Sequence, residues 1–155
     1  MLTSGFFHIS PMHLIFNVLT LRALLDVLVI AAPKCATAPA LLATHIAGII
    51  AGSWAMRNFG PLAAQTGPSP RRRPGAALGA SGGVSALLVA AACVAPRFPM
   101  NIMFIPISVP LAAVAGIYML VDASFAGSAT STVAHAAHLG GGAVGVLAWR
   151  LLFRI

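Results

Sequence analysis

The chain has 155 residues, of which 59% are hydrophobic and 7% charged, with a net charge of +7 and a mean hydropathy of +0.97. A soluble domain of this size carries about 25% charged residues, so this chain cannot cover its own surface in water, which excludes a soluble enzyme and a disordered tail. The nine basic residues are scattered and too few to coat a groove, so no nucleic-acid partner is expected.

The composition is that of a polytopic membrane protein whose first partner is the lipid bilayer. Its expected fold class is all-α, a transmembrane helix bundle with five visible spans. Met1 to Ser10 has no basic n-region and does not read as a cleavable signal peptide. The first span, Met12 to Ala32, carries Arg22 and Asp26 at i and i+4, where they can pair and lower each other's cost in lipid. The second, Pro39 to Met56, holds His45 without a matching partner. Arg57 to Pro74, with four prolines and Arg71-Arg72-Arg73, reads as an irregular loop outside the hydrocarbon. The third span is Leu78 to Ala95, the fourth Asn101 to Val121, and the fifth Ala134 to Phe153. Pro33, Pro39, Pro96 and Pro99 stand at the joints, where a helix cannot easily run on. Asp122 to Val133 is a joint rich in Ser, Thr, Ala and Gly. Cys35 and Cys93 lack CxxC or metal-ligand spacing and read as packing residues. Basic residues are balanced between the two faces, so orientation is left open.

The acidic residues are two, Asp26 and Asp122, and there is no glutamate. A His-Glu-x-x-His zinc protease is therefore impossible. Nothing suggests that the two aspartates meet for two-carboxylate catalysis. Asp122 ends the fourth span and is expected to cap it or face water.

Spans alternate in direction, so the starts of the first, third and fifth share one face. That face collects His8, His13 and Asn17, then Gly79-Ala80-Ser81-Gly82-Gly83, then His135, His138 and Leu139-Gly140-Gly141-Gly142. Polar groups in spans are costly and usually have a task. A hydroxyl, imidazoles and an amide at one depth are the parts of an acyl-transfer site. Ser81 sits among glycines at a loop-to-helix junction, where helix N–H groups are free for an oxyanion. His138 shares a face with Gly141, Gly142 and Gly145, which would let the fifth span approach the third closely enough for a Ser–His hydrogen bond. His13 and Asn17, at i and i+4, can both donate to an oxyanion. His8 and His135 are less specific. No third triad member is visible, so the chemistry would be a Ser–His dyad. A zinc site from His8, His13, His135 and His138 is the rival reading; no Cys or carboxylate stands near them in sequence, and it leaves the Ser81 cluster unexplained.

These residues resemble the rhomboid intramembrane serine proteases. The matching pieces are His8-Ile-Ser-Pro-Met-His13-Leu-Ile-Phe-Asn17, Gly79-Ala80-Ser81-Gly82 and Ala137-His138-Leu139-Gly140-Gly141, in the family's order on its second, fourth and sixth core helices. The resemblance implies one rhomboid-like transmembrane protease domain over 1–155, N-terminally incomplete because the first core helix and its following loop have no counterpart. It implies Ser81 as nucleophile, His138 as general base, and His13 and Asn17 with the Ser81 N–H as oxyanion hole. Gly79 and Gly82 would shape the nucleophile turn, with His8 and Gly141 in support, and Asp122 to Val133 would be a cap gating entry. No cofactor or metal is implied. Gly79 to Gly82, Pro106 to Pro110 and His135 to Gly141 look most like the mitochondrial, presenilin-associated branch, which implies the mitochondrial inner membrane, with a bacterial plasma or other cell membrane as the alternative. Some bacterial members stack a Tyr, four residues after the serine, on the catalytic His; here that position is Ser85, so the imidazole must be held another way.

The expected function is therefore cleavage of transmembrane segments of membrane-protein substrates by a serine endopeptidase. The alternatives are an inactive rhomboid-like protein that binds transmembrane clients, and a small channel or transporter using the polar face as a pathway.

Overall fold

The computed structural model describes residues 5, 7–8, 10–60, 79–101, 107–128, 130–131 and 133–154. These form five helices: α1 (Pro11–Ala31), α2 (Ala38–Phe59), α3 (Ser81–Val94), α4 (Leu111–Phe125) and α5 (His135–Leu151). A two-stranded antiparallel ribbon, β1 (Pro99–Asn101) and β2 (Ser108–Pro110), lies between α3 and α4. The all-α bundle expected from composition is what forms.

Local sequence sets the helix starts. Ser10 caps α1, its hydroxyl accepting from the His13 N–H at 3.2 Å, and Pro11 occupies the first turn, where its missing N–H costs nothing. Thr37 and Pro39 repeat the arrangement on α2. At α4 the free amides are satisfied from the preceding chain: Leu111 donates to the Phe98 carbonyl at 2.9 Å and Ala112 to that of Pro96 at 3.0 Å.

The fourth apolar stretch departs from expectation. Its first residue, Asn101, is in β1, and Ser108 to Pro110 pair with Asn101 to Pro99 instead of continuing a helix. A residue before proline is pushed out of the helical region, so Val109 and Pro110 stay extended and α4 starts at Leu111. It then runs through Asp122 to Phe125, so the joint to α5 begins later than composition suggested. Likewise α2 continues past Met56, and Arg57 lies in its last turn. Residues 61–78, with Arg71 to Arg73 and Leu78, lie outside the described residues, as do 102–106.

Among the described residues, only α1 and α2 are long and apolar enough to cross a bilayer on length and composition. With 14 residues, α3 spans about 21 Å at ~1.5 Å per residue. Its surroundings explain this: every residue from Gly82 to Leu88 is buried, so neighbouring helices rather than lipid set its length. By contrast the first half of α1 points Met12, Leu14, Ile15, Phe16, Val18 and Leu19 outward and buries Asn17. Apolar surface outside and an amide inside is the reverse of a soluble helix. Arg22 and Asp26 form the expected pair, at 2.9 Å, on the exposed side of α1.

The densest packing is α3 against α5, with α2 on both. Small residues permit it. A side chain at Gly141 would collide with the Gly82 carbonyl oxygen, and one at Gly145 with that of Ala86. Gly142 faces α4 instead, against Met119. The main apolar cluster joins Leu24 and Leu28 of α1, Leu87 and Ala91 of α3, Leu111 of α4 and Phe153, away from the starts of α1, α3 and α5.

Gly141→Leu should destabilise the bundle by at least the ~1–3 kcal/mol of an overpacked core. Gly116, in α4 with nothing within 4 Å of an added Cβ, is the opposite case. Gly116→Ala should stabilise by about 0.5–1 kcal/mol through helix propensity. Thermal unfolding in detergent, followed by circular dichroism, checks both.

Candidate active site

The structure brings the three polar clusters together at one end of the bundle. The turn before α3 depends on Gly79, whose φ of +117° suits glycine. A Cβ there would also lie 2.7 Å from the His13 ring, so the imidazole packs against the turn that delivers Ser81. Ser81 is then the first residue of α3, beside backbone N–H groups with no carbonyl one turn back.

From α5, His138 places Nε2 at 3.0 Å from the Ser81 hydroxyl oxygen. Nε2 can accept that proton only if the neutral ring carries its hydrogen on Nδ1. Three oxygens surround Nδ1: Asp122 Oδ1 at 3.0 Å, Asp122 Oδ2 at 3.1 Å and the Tyr118 hydroxyl at 2.9 Å. The Tyr118 ring also stacks on the imidazole, with centroids 5.3 Å apart and planes tilted by 27°.

One expectation changes here, and another is met in a way the sequence did not specify. Asp122 does not face water; it is 2% exposed and bound to the candidate base. The helix periodicity that places Tyr118 and Asp122 at i and i+4 on one face of α4 turns both inward. The dyad thus has a carboxylate behind it. And the ring is held by an aromatic from α4, with Ser85 using its hydroxyl on the Ser81 carbonyl at 2.9 Å. The signal was available in the sequence: the single tyrosine and one of two acids stand four residues apart in an apolar stretch.

His135 belongs to the same network. Its Nδ1 lies 2.6 Å from Asp122 Oδ1, and its Nε2 2.9 Å from the Ser131 hydroxyl in the α4–α5 connection. Phe125 covers its ring at 5.6 Å.

His13 and Asn17 share a cavity of about 670 Å³ with Ser81 and His138. Asn17 is buried and spends one amide N–H on the His13 carbonyl at 2.8 Å; an amide has a second. The His13 Nδ1 is buried without a hydrogen-bond partner among the described residues. His8 touches His13 edge-on at 5.3 Å and stays one layer back. Gly82 and Gly141 act where α3 meets α5. The cavity is walled by Phe16 and Thr20 of α1, Val114 and Tyr118 of α4, and Ser131 and Val133 of the connection.

The rival metal set does not form as four histidines. Potential ligand atoms converge at Asp122, His135 and His138, without His8 or His13. A carboxylate is therefore near after all. The contacts of 2.6 to 3.1 Å within this trio are hydrogen-bond lengths. Tetrahedral zinc ligands at ~2.0 Å from the ion stand about 3.3 Å apart. The trio is closed on itself as a hydrogen-bonded cluster.

The family model described as Rhomboid domain matches residues 1–155. No curated protein and no solved structure matches the chain. With the matched domain spanning all five helices, and two of them apolar enough to cross a bilayer, the chain is an integral membrane protein that belongs to the rhomboid family.

Proposed function

We propose that this chain is an intramembrane serine endopeptidase that cleaves transmembrane segments of other membrane proteins. The observation that carries the reading is the 3.0 Å contact between His138 Nε2 and the Ser81 hydroxyl, made between helices locked together by glycine. Ser81 Oγ attacks the scissile carbonyl carbon while its proton passes to Nε2. The carbonyl oxygen becomes an oxyanion, for which the Ser81 N–H, the free Asn17 amide hydrogen and His13 are the donors at hand. Collapse breaks the C–N bond, and His138 returns the proton to the leaving amine. Water, activated by His138, then hydrolyses the acyl-enzyme and frees Ser81.

The cavity shape supports a transmembrane substrate. It follows α3 from Ser81 down to Leu88, between α1 and α4, which both pack on α3. A segment lying in that groove would present its backbone to Ser81 once locally unwound, since an intact helix hides its carbonyls. The mitochondrial inner membrane is the proposed location, on the motif resemblance to the presenilin-associated branch. A bacterial plasma membrane is the alternative.

Fluorophosphonate should label the reconstituted protein, and both labelling and cleavage of a co-reconstituted transmembrane peptide with an Ala/Gly-rich segment should vanish in Ser81→Ala. Loss of cleavage is also expected for His138→Ala. Cleavage surviving either change sinks the proposal, and peptide capture without cleavage by the parent points to a client-binding rhomboid. Asn17→Ala should lower kcat about 10²–10³-fold with KM little changed, the cost of one oxyanion donor.

A further inference from the structure

The network behind His138 is larger than a Ser–His pair needs. Asp122 is a carboxylate in an apolar helix, 2% exposed, and among the described residues its ion-pair partners are two histidines rather than a Lys or Arg. Burying an acceptor-only group is costly unless donors surround it. Here the donors are two Nδ1–H groups converging on Oδ1, at 2.6 Å from His135 and 3.0 Å from His138.

One arrangement of the protons suits both the carboxylate and the transfer from Ser81. His138 must leave Nε2 bare to accept from Ser81, so its hydrogen is on Nδ1 and goes to Asp122. His135 donates from Nδ1 to the same carboxylate and accepts at Nε2 from the Ser131 hydroxyl. Ser131 in turn accepts from the Val133 N–H at 3.1 Å. Reversing either ring would set a bare nitrogen against the carboxylate, with the Tyr118 hydroxyl, 2.9 Å from His138 Nδ1, as the one side chain placed to donate to that ring there among the described residues.

Resting on the reading of Ser81 as nucleophile, we infer that Asp122 is the positioning residue of this site, fixing His138 in its Nδ1–H tautomer and facing the imidazolium that forms, and that His135 anchors Asp122 for that task. Asp122 touches neither substrate nor Ser81 and acts through His138. The shorter contact to His135 holds the carboxylate in place, and Ser131 ties that anchor to the connection walling the cavity. Asp122 and His138 come from antiparallel neighbours α4 and α5, so the tautomer depends on how those two helices dock.

The test measures the rate of fluorophosphonate labelling at Ser81, which needs no identified substrate, alongside cleavage of the Ala/Gly-rich peptide. Asp122→Asn keeps the size but can hold the wrong tautomer; the same change in a soluble Ser-His-Asp protease costs ~10⁴ in kcat. Labelling and kcat should fall at least about 100-fold, with KM within about twofold of the parent. His135→Ala should slow labelling about 10-fold or more, and His135→Asn, whose amide N–H can replace Nδ1, should recover most of it. A readout that needs no variant at Asp122 is the ¹⁵N spectrum of histidine-labelled parent, with His138 assigned by its loss in His138→Gln. The neutral ring should carry its hydrogen on Nδ1. An Nε2–H tautomer overturns the inference whatever the variants do. So does a parent that labels at Ser81 beside an Asp122→Asn variant that labels equally fast. A parent with no Ser81-dependent labelling or cleavage overturns the proposed function, and this inference with it.

Discussion

The place where the backbones of α3 and α5 touch governs the rest of the molecule. Gly141 lies against the Gly82 carbonyl and Gly145 against that of Ala86, closer than any side chain would permit. Ser81 and His138 each stand within a turn of this contact, so their short side chains meet at 3.0 Å without reaching. In lipid there is no hydrophobic force between helices, and close packing of small residues is what holds them. The same glycines thus serve cohesion and geometry at once, and a methyl group at Gly141 would disturb both.

The bundle divides its chemistry along its length. Leu24, Leu28, Leu87, Leu111 and Phe153 form a dry cluster toward one end. The other end gathers nearly all the buried polar groups: Asn17, Ser85, Asp122 and His138. These groups are tolerable there because they satisfy one another. Asp122 binds two imidazoles, Ser85 and Asn17 return bonds to their own helices, and Tyr118 closes over His138. Outside, α1 shows lipid the apolar side chains that a soluble protein would hide.

Much of this could be read from residue order. Four of the five apolar stretches became helices within a few residues of their expected bounds, and for two of them Ser10, Pro11, Thr37 and Pro39 mark the helix start by local chemistry alone. The meeting of His13, Asn17, Ser81 and His138 followed from alternating span direction and the glycine spacing around two of them. The residues that were missed sit on α4. Hydropathy averages over a window and cannot see that Pro110 delays the helix to Leu111, nor that the face carrying Tyr118 and Asp122 docks inward. Residue order marks Asp122 only as a span terminus, because its partners are 13 and 16 residues away on another helix, a relation that only docking creates.

One feature of the packing separates the site into two mechanical bodies. The proposed nucleophile and base ride on α3 and α5, which with α2 form a single interlocked block. His13 and Asn17 ride on α1, whose substantial packing among the described helices and strands is on α3. The Ser81–His138 contact of the proposed reaction is therefore built into the block, with the Ser81 N–H beside it, whereas two of the three proposed oxyanion donors, His13 and Asn17, are supplied by a helix that leans on it. Any tilt of α1 in the bilayer, whether from lipid thickness or from a segment wedged beside it, would leave the Ser81–His138 bond intact while withdrawing His13 and Asn17 from the proposed oxyanion site. Membrane thickness would then act on this protein as a throttle on turnover without touching the hydrogen bond at its centre.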